Sequence, residues 1–213
     1  MEGPLRPPPA DDFRLIETML WTPDGGVSRR ARHLARLARS ASRLGIAPRG
    51  VERALDAVRS DAPQRLRLTV ARDGQAELAV YPFTPLPSDT VWHLGLARAR
   101  LSSADPWLGV KTTERALYEA ARADMPDGID ELIFLNERDE LCEGTITNLF
   151  VDPGTGVLLT PPLSSGVLPG ILREELIDSG RAREAALTLA DLRAPASVFV
   201  GNSLRGLIAA RLD

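Results

Sequence analysis

Lysine is almost absent from this chain. Lys111 is the one lysine among 26 basic residues, and the rest are arginine. Cysteine is reduced to Cys142, which excludes an internal disulfide and fits a reducing cytoplasm. His33 and His93 are the only histidines. They are too few for a histidine-based metal site, and no Cys/His spacing supports one, so no metal is expected. Positive charge is not in excess: the net charge is −3, which gives no field for nucleic acid or an anionic membrane. No apolar run approaches the length of a bilayer span, and the first residues lack the apolar core of a signal peptide. What is present is 213 residues, 44% hydrophobic and 26% charged. That is the composition of a soluble globular protein, sized for one large domain or two small ones.

The scarcity of lysine draws attention to the stretch that keeps one, Pro106-Trp-Leu-Gly-Val-Lys111-Thr-Thr-Glu-Arg115. A guanidinium stays protonated, whereas a desolvated ammonium can lose its proton and act as a nucleophile or base. Schiff-base formation and proton abstraction need that difference. The plain alternative is a coding bias toward arginine with one stray surface lysine.

Residues 1–11 read as a proline-rich tail. Phe13 to Trp21 is β-rich and ends at the turn cluster Pro23-Asp-Gly-Gly26. Ser28 is placed to cap a helix running to about Leu44, with Leu34, Leu37, Ala38, Ala41 and Leu44 as its apolar face. A second helix spans about 50–60. Strands at 66–72 and 76–81 flank the hairpin signal Asp73-Gly74. Pro82, Pro85 and Pro87 mark a linker, and the domain boundary is set there: a small N-terminal domain over 12–85, a linker at 86–90 and a larger domain over 91–213. In the second part, strands are expected at 91–101, 130–136, 141–151, 157–160 and 197–200. Helices are expected at 112–123, 168–179 and 188–193, the last with Thr188 as its N-cap.

Several residues carry possible chemistry. In a single strand, Glu143, Thr145 and Thr147 share one face, opposite Cys142, Ile146 and Phe150. A carboxylate on a buried face needs a cationic partner; the same pattern also suits an edge strand with its polar face in water. Leu168-Pro-Gly-Ile-Leu172 leads into a helix, Gly170 permits close approach, and the N–H groups of Ile171 and Leu172 can bind an anion such as phosphate. An ordinary helix start has the same look. Gly201-Asn202-Ser203 follows an apolar strand and can add donors. Arg36 either lies along the helix surface or reaches inward to a phosphate. No motif supports Cys142 as a nucleophile.

Taken together, His33-x-x-Arg36-Leu, Lys111, Glu143-Gly-x-x-x-Asn148-Leu-Phe, Thr160-Pro-Pro, Leu168-Pro-Gly-Ile and Gly201-Asn-Ser resemble the class IV aminotransferases in consistent order from about Phe13 to the C-terminus. These are the fold-type IV enzymes that use pyridoxal 5'-phosphate (PLP). The Lys111-Thr-Thr and Gly201-to-Gly206 stretches are most similar to the family's 4-amino-4-deoxychorismate lyases. The resemblance implies an α/β (α+β) fold of two domains with PLP between them, and a homodimer. It implies that Lys111 links to PLP and that Glu143 pairs with the pyridine nitrogen, which keeps the ring an electron sink. Arg36 and the N–H groups of Ile171 and Leu172 hold the phosphate beside Gly170, with Asn202 or Ser203 as further donors. Thr147 joins the cofactor-binding set, Leu168 packs on the ring, and Arg72 faces the substrate carboxylate.

There are two departures from the family. Members usually carry an extra strand and loop before the stretch matching Phe13; here that segment is expected to be missing or replaced by the proline-rich tail, without its substrate contacts. Leu20 stands where branched-chain transaminases tend to place an arginine. The function expected is a lyase that yields 4-aminobenzoate and pyruvate. An aminotransferase acting on branched-chain or D-amino acids is the alternative, and a non-catalytic PLP-fold binding module is a third.

Overall fold

The computed structural model describes residues 12–193 and 197–213; the proline-rich tail over 1–11 lies outside the described residues. The chain divides into two compact units. One runs to Pro85 and takes in Val110–Glu114, and the other comprises Leu86–Gly109 and Arg115–Asp213. Both mix helix and sheet, as the α/β reading expects.

In the first unit, strand β1 (Leu15–Thr22) is followed by the short β2 (Gly26–Val27), helices α1 (Arg30–Leu44) and α2 (Val51–Asp56), and strands β3 (Gln64–Val70) and β4 (Ala76–Pro82). The sheet is antiparallel, in the order β2-β1-β3-β4. Period-2 patterning drives it: Leu66, Leu68 and Val70 of β3 turn inward with Leu15 and Met19 of β1. Glu17 occupies the same inward register, a charge where the alternation calls for an apolar side chain.

That charge explains how α1 sits. The inward face is His33, Arg36, Leu37, Ser40 and Ala41, and Ala38 is exposed. The expected stripe through Ala38 and Leu44 is therefore rotated, because His33 and Arg36 turn in to meet Glu17. Ser28 does not cap the helix. Arg29 holds the N-cap position with φ 55°, and no side chain caps it. The second helix ends at Asp56, short of 60. The lysine segment adds to this unit as an extended strap rather than a helix. Ile16 N–H donates to the Lys111 carbonyl at 2.9 Å, and Thr113 N–H to the Arg14 carbonyl at 2.9 Å.

The second unit contains β5 (Val91–Leu96), α3 (Ala116–Ala123), β6 (Glu131–Leu135), β7 (Leu141–Gly144), β8 (Asn148–Asp152), β9 (Leu158–Thr160), α4 (Ile171–Asp178), β10 (Ala182–Glu184), α5 (Leu189–Arg193), β11 (Ser197–Asn202) and β12 (Gly206–Leu212). The strand order is β10-β9-β8-β11-β12-β5-β6-β7, and β7 also pairs with β8. The run from β8 to β7 thus closes into a ring of pairings, filled by Leu94, Ile133, Leu141, Leu149, Val200 and Ile208. Interior side chains fill a small closed sheet in this way, so it is core and not channel.

Three expectations change here. The segment 141–151 is not one strand but a hairpin, with Glu143 opposite Asn148 and Gly144 N–H bonded to the Thr147 carbonyl. Glu143, Thr145 and Thr147 therefore do not line one strand face. Helix α4 begins at Ile171, so Pro169 lies before it and Gly170 is its N-cap. The strand expected over 91–101 ends at Leu96, and Leu101 makes only an isolated bridge to Asn136.

Candidate active site

Glu143 is the centre of the second unit's polar cluster. It sits at the end of β7 and is 5% exposed. Its Oε1 accepts from the Tyr118 hydroxyl at 2.7 Å. Its Oε2 accepts from the Leu168 backbone N–H at 3.0 Å and from Asn148 Nδ2 at 3.2 Å. Three donors on one carboxylate fix its orientation.

A second buried carboxylate builds the turn that presents Glu143. Glu131 opens β6 and is fully buried. It accepts from Thr145 N–H at 2.9 Å, Thr145 Oγ1 at 2.5 Å, Ile146 N–H at 3.2 Å and Thr147 Oγ1 at 2.9 Å. Arg122 Nη1 lies 3.8 Å away. A Cβ at Gly144 would overlap both Thr147 Oγ1 and the Glu131 carboxyl, so the hairpin needs glycine there. The Thr147 hydroxyl thus supports the turn. Asn202 has a similar part: its Nδ2 donates to the Ile146 carbonyl at 3.2 Å, and its Oδ1 accepts from Leu204 and Arg205 N–H. Ser203 beside it is buried.

The Leu168-Pro-Gly turn is tied to the same centre. Asn148 Nδ2 also donates to the Leu168 carbonyl at 3.1 Å. A Cβ at Gly170 would overlap Asn148 Oδ1. Gly170 has φ −70°, which any residue adopts, so the glycine is required by the close approach of Asn148. The N–H groups of Ile171 and Leu172 begin α4 and have no carbonyl four residues earlier within the helix. They can serve an anion. Both side chains are buried.

In the first unit, Arg36 and Glu17 form a two-point pair: Arg36 Nε to Oε1 at 2.9 Å and Nη2 to Oε2 at 2.6 Å. His33 Nδ1 lies 2.6 Å from the same Oε2. Burial alone would raise the Glu17 pKa; the charges and hydrogen bonds of Arg36 and His33 outweigh it and lower the pKa to about 2. Lys111 is half-buried, its backbone pinned to Ile16. Arg72 is exposed and lies past the end of β3, its guanidinium 5.7 Å from the centroid of the Phe13 ring.

The family model for amino-transferase class IV matches residues 14–212. The chain belongs to that family. A protein of Mesorhizobium loti, provisionally described as an amino-acid aminotransferase, has a crystal structure 50% identical in sequence. It superposes with a TM-score of 0.89 over 95% of this chain and 100% of that one. The aminodeoxychorismate lyase of Saccharomyces cerevisiae is 31% identical over 124 residues, which is 50% of this chain and 33% of its own length. A protein of Schizosaccharomyces pombe provisionally described as the same lyase is 27% identical over 206 residues, 92% of this chain and 87% of its own. The first two curated relatives are matched over only 33% and 27% of their own lengths.

Class IV aminotransferases are PLP-dependent enzymes, and the residues here fit that cofactor. A buried carboxylate with three donors suits a pyridine nitrogen, a helix start suits a phosphate, and the chain has a single lysine. No helix among the described residues is long and apolar enough to cross a membrane. They also contain no cluster of His, Cys, Asp and Glu that could hold a metal ion.

Sequence reasoning missed Tyr118, Glu131 and Glu17, and gave Asn148 no role. Glu17 and Glu131 had a readable signal, since each is a charge within a run whose alternation or apolarity marks it as buried. Tyr118 had none.

Proposed function

We propose that this chain is a PLP-dependent lyase that converts 4-amino-4-deoxychorismate to 4-aminobenzoate and pyruvate. The observation that carries the cofactor reading is Glu143, buried and held by three hydrogen bonds. Glu143 would hold the ring nitrogen, the N–H groups of Ile171 and Leu172 with Arg36 and Ser203 would hold the phosphate, and Leu168 would pack on the ring. Lys111 Nζ would take the covalent link to the aldehyde carbon. When bound, PLP supplies an electron sink for the carbon that bears the substrate's amine. Lys111, released from its link, would remove the proton from that carbon. The bond to the enolpyruvyl oxygen then breaks, and the same Nζ returns the proton to the leaving fragment to give pyruvate. Atoms balance with no added reactant. Two yeast relatives carry the lyase description and two relatives the branched-chain aminotransferase description. The lyase is preferred because the Lys111-Thr-Thr and Gly201-to-Gly206 stretches resemble the lyases and because Leu20, half-buried in β1, offers no guanidinium to a substrate carboxylate. A homodimer and a substrate-facing Arg72 belong to the same reading.

The second reading is an aminotransferase, favoured by the likeness to the Mesorhizobium loti protein. Incubation of the PLP-loaded protein with aminodeoxychorismate tests the two together. The lyase releases 4-aminobenzoate and pyruvate in equal amounts without a 2-oxo acid. A requirement for a 2-oxo acid, with amino transfer to it, would replace the lyase by the transaminase. Lys111→Arg and Lys111→Ala are both expected to lower turnover by about 10³-fold or more, because the proton transfer needs a neutral amine.

A further inference from the structure

Tyr118 lies on α3, seven residues past Lys111, and no motif quoted above includes it. Its hydroxyl is 2.7 Å from Glu143 Oε1. The ring is buried and meets Phe134 edge-on, with centroids 5.1 Å apart. The Arg115 guanidinium lies 4.7 Å from the ring centroid and also donates to the Thr145 carbonyl of the hairpin turn. The phenol is thus fixed on one side by packing and on the other by the residue it serves.

We propose that Tyr118 is a positioning residue for Glu143. It holds the carboxylate in one orientation and in its ionised form, so that a proton shared with the cofactor's ring nitrogen stays on the nitrogen. This rests on the reading of Glu143 as the ring-nitrogen partner. An O–H donor to a carboxylate is among the stronger hydrogen bonds and stabilises the charged form. The phenol stays a donor because burial, then the charge of Glu143 and the hydrogen bond to it, push its pKa well above the ordinary tyrosine range. Other ionisable groups around the pair include Arg115, Arg122 and Glu131 at the turn, and Cys142. Burial, with Glu143 and Glu140 adding to it, pushes the Cys142 thiol up to about 12, so it is neutral. Glu137, Arg138 and Glu140 lie beyond Cys142. The Leu168 N–H and the Asn148 amide also donate to Glu143, and neither titrates. The Tyr118 hydroxyl can be removed while ring, backbone and turn stay in place.

The test is the pH dependence of the visible absorption of the PLP-loaded protein, read for the wild type, Tyr118→Phe and Glu143→Gln, with thermal melting as a check on the fold. A ring nitrogen that keeps its proton lowers the pH at which the visible band changes. Tyr118→Phe is therefore expected to move that transition upward by a few tenths of a pH unit to about one, the scale of a single charge-assisted hydrogen bond. Glu143→Gln should move it further in the same direction. If Glu143→Gln shifts the transition and Tyr118→Phe does not, Tyr118 is only packing and the proposal is overturned. If neither variant shifts it, the assignment of Glu143 to the ring nitrogen fails as well. Should Tyr118→Phe melt early, 3-fluorotyrosine in a Tyr81→Phe background keeps the shape and strengthens the donor, since the chain has two tyrosines. The transition then moves downward, and an unchanged transition overturns the proposal.

Discussion

Glu17 and Glu143 are both buried carboxylates on strands, and they are held in opposite ways. Glu17 is met by a guanidinium and an imidazole. Glu143 accepts from a phenol, an amide and a backbone N–H. In the first case the charge is balanced by cationic side chains of the same unit, and the pair fixes how α1 lies on its sheet. In the second, these donors orient the carboxylate that the proposed function pairs with the cofactor's ring nitrogen. The difference separates a charge used for architecture from one suited to chemistry.

Substitutions can break that contrast. The largest effect on stability is expected from Glu17→Ala, which leaves Arg36 buried without its two-point partner. A loss of about 3–5 kcal/mol should appear in urea denaturation. Glu143→Gln should cost about 1 kcal/mol by the same measure, because an amide keeps part of the hydrogen bonding, yet it should abolish most turnover of the PLP-loaded protein. If Glu143→Gln proved as destabilising as Glu17→Ala, the two sites would not differ in kind.

Acid sharpens the comparison. The folded pKa of Glu17 is about 2 against an ordinary 4.5. Its contribution to stability is therefore complete above about pH 4.5 and fades as pH falls toward 2. Denaturation midpoints of the wild type should drop through that window, and Glu17→Gln should flatten that part of the curve. An effect smaller than that of Glu17→Ala is expected at Gly170→Ala, where a Cβ would overlap Asn148 Oδ1. A loss of about 1–3 kcal/mol is typical of such crowding. Adding Asn148→Ala should recover part of it, since the backbone angles at Gly170 suit alanine.

How much of this was legible in the sequence depended on whether neighbours or distant residues decide the structure. The strands flanking Asp73-Gly74 were readable because alternation and turn chemistry are local, and β3 and β4 fall there. The rotation of α1 was not, because it follows from a carboxylate on β1 far away in the chain. The segment 141–151 read as one strand because its alternation runs through Thr145 and Thr147. Gly144 was the sign of a turn, but the reason glycine is needed lies in Glu131. Lys111 and Glu143 were singled out by residue chemistry and family resemblance. Glu131 was readable as a charge inside an apolar run, and Asn148 lay within the quoted motif; that Asn148 and Tyr118 meet Glu143 depends on packing that no spacing reveals.

The most direct measurement fixes the cofactor link with borohydride and maps the modified peptide by mass spectrometry. The phosphopyridoxyl group should be found on Lys111, with loss of the yellow colour, and Lys111→Arg should give no such peptide. Absence of the adduct from the wild type, or an adduct that persists in Lys111→Arg, would contradict the account.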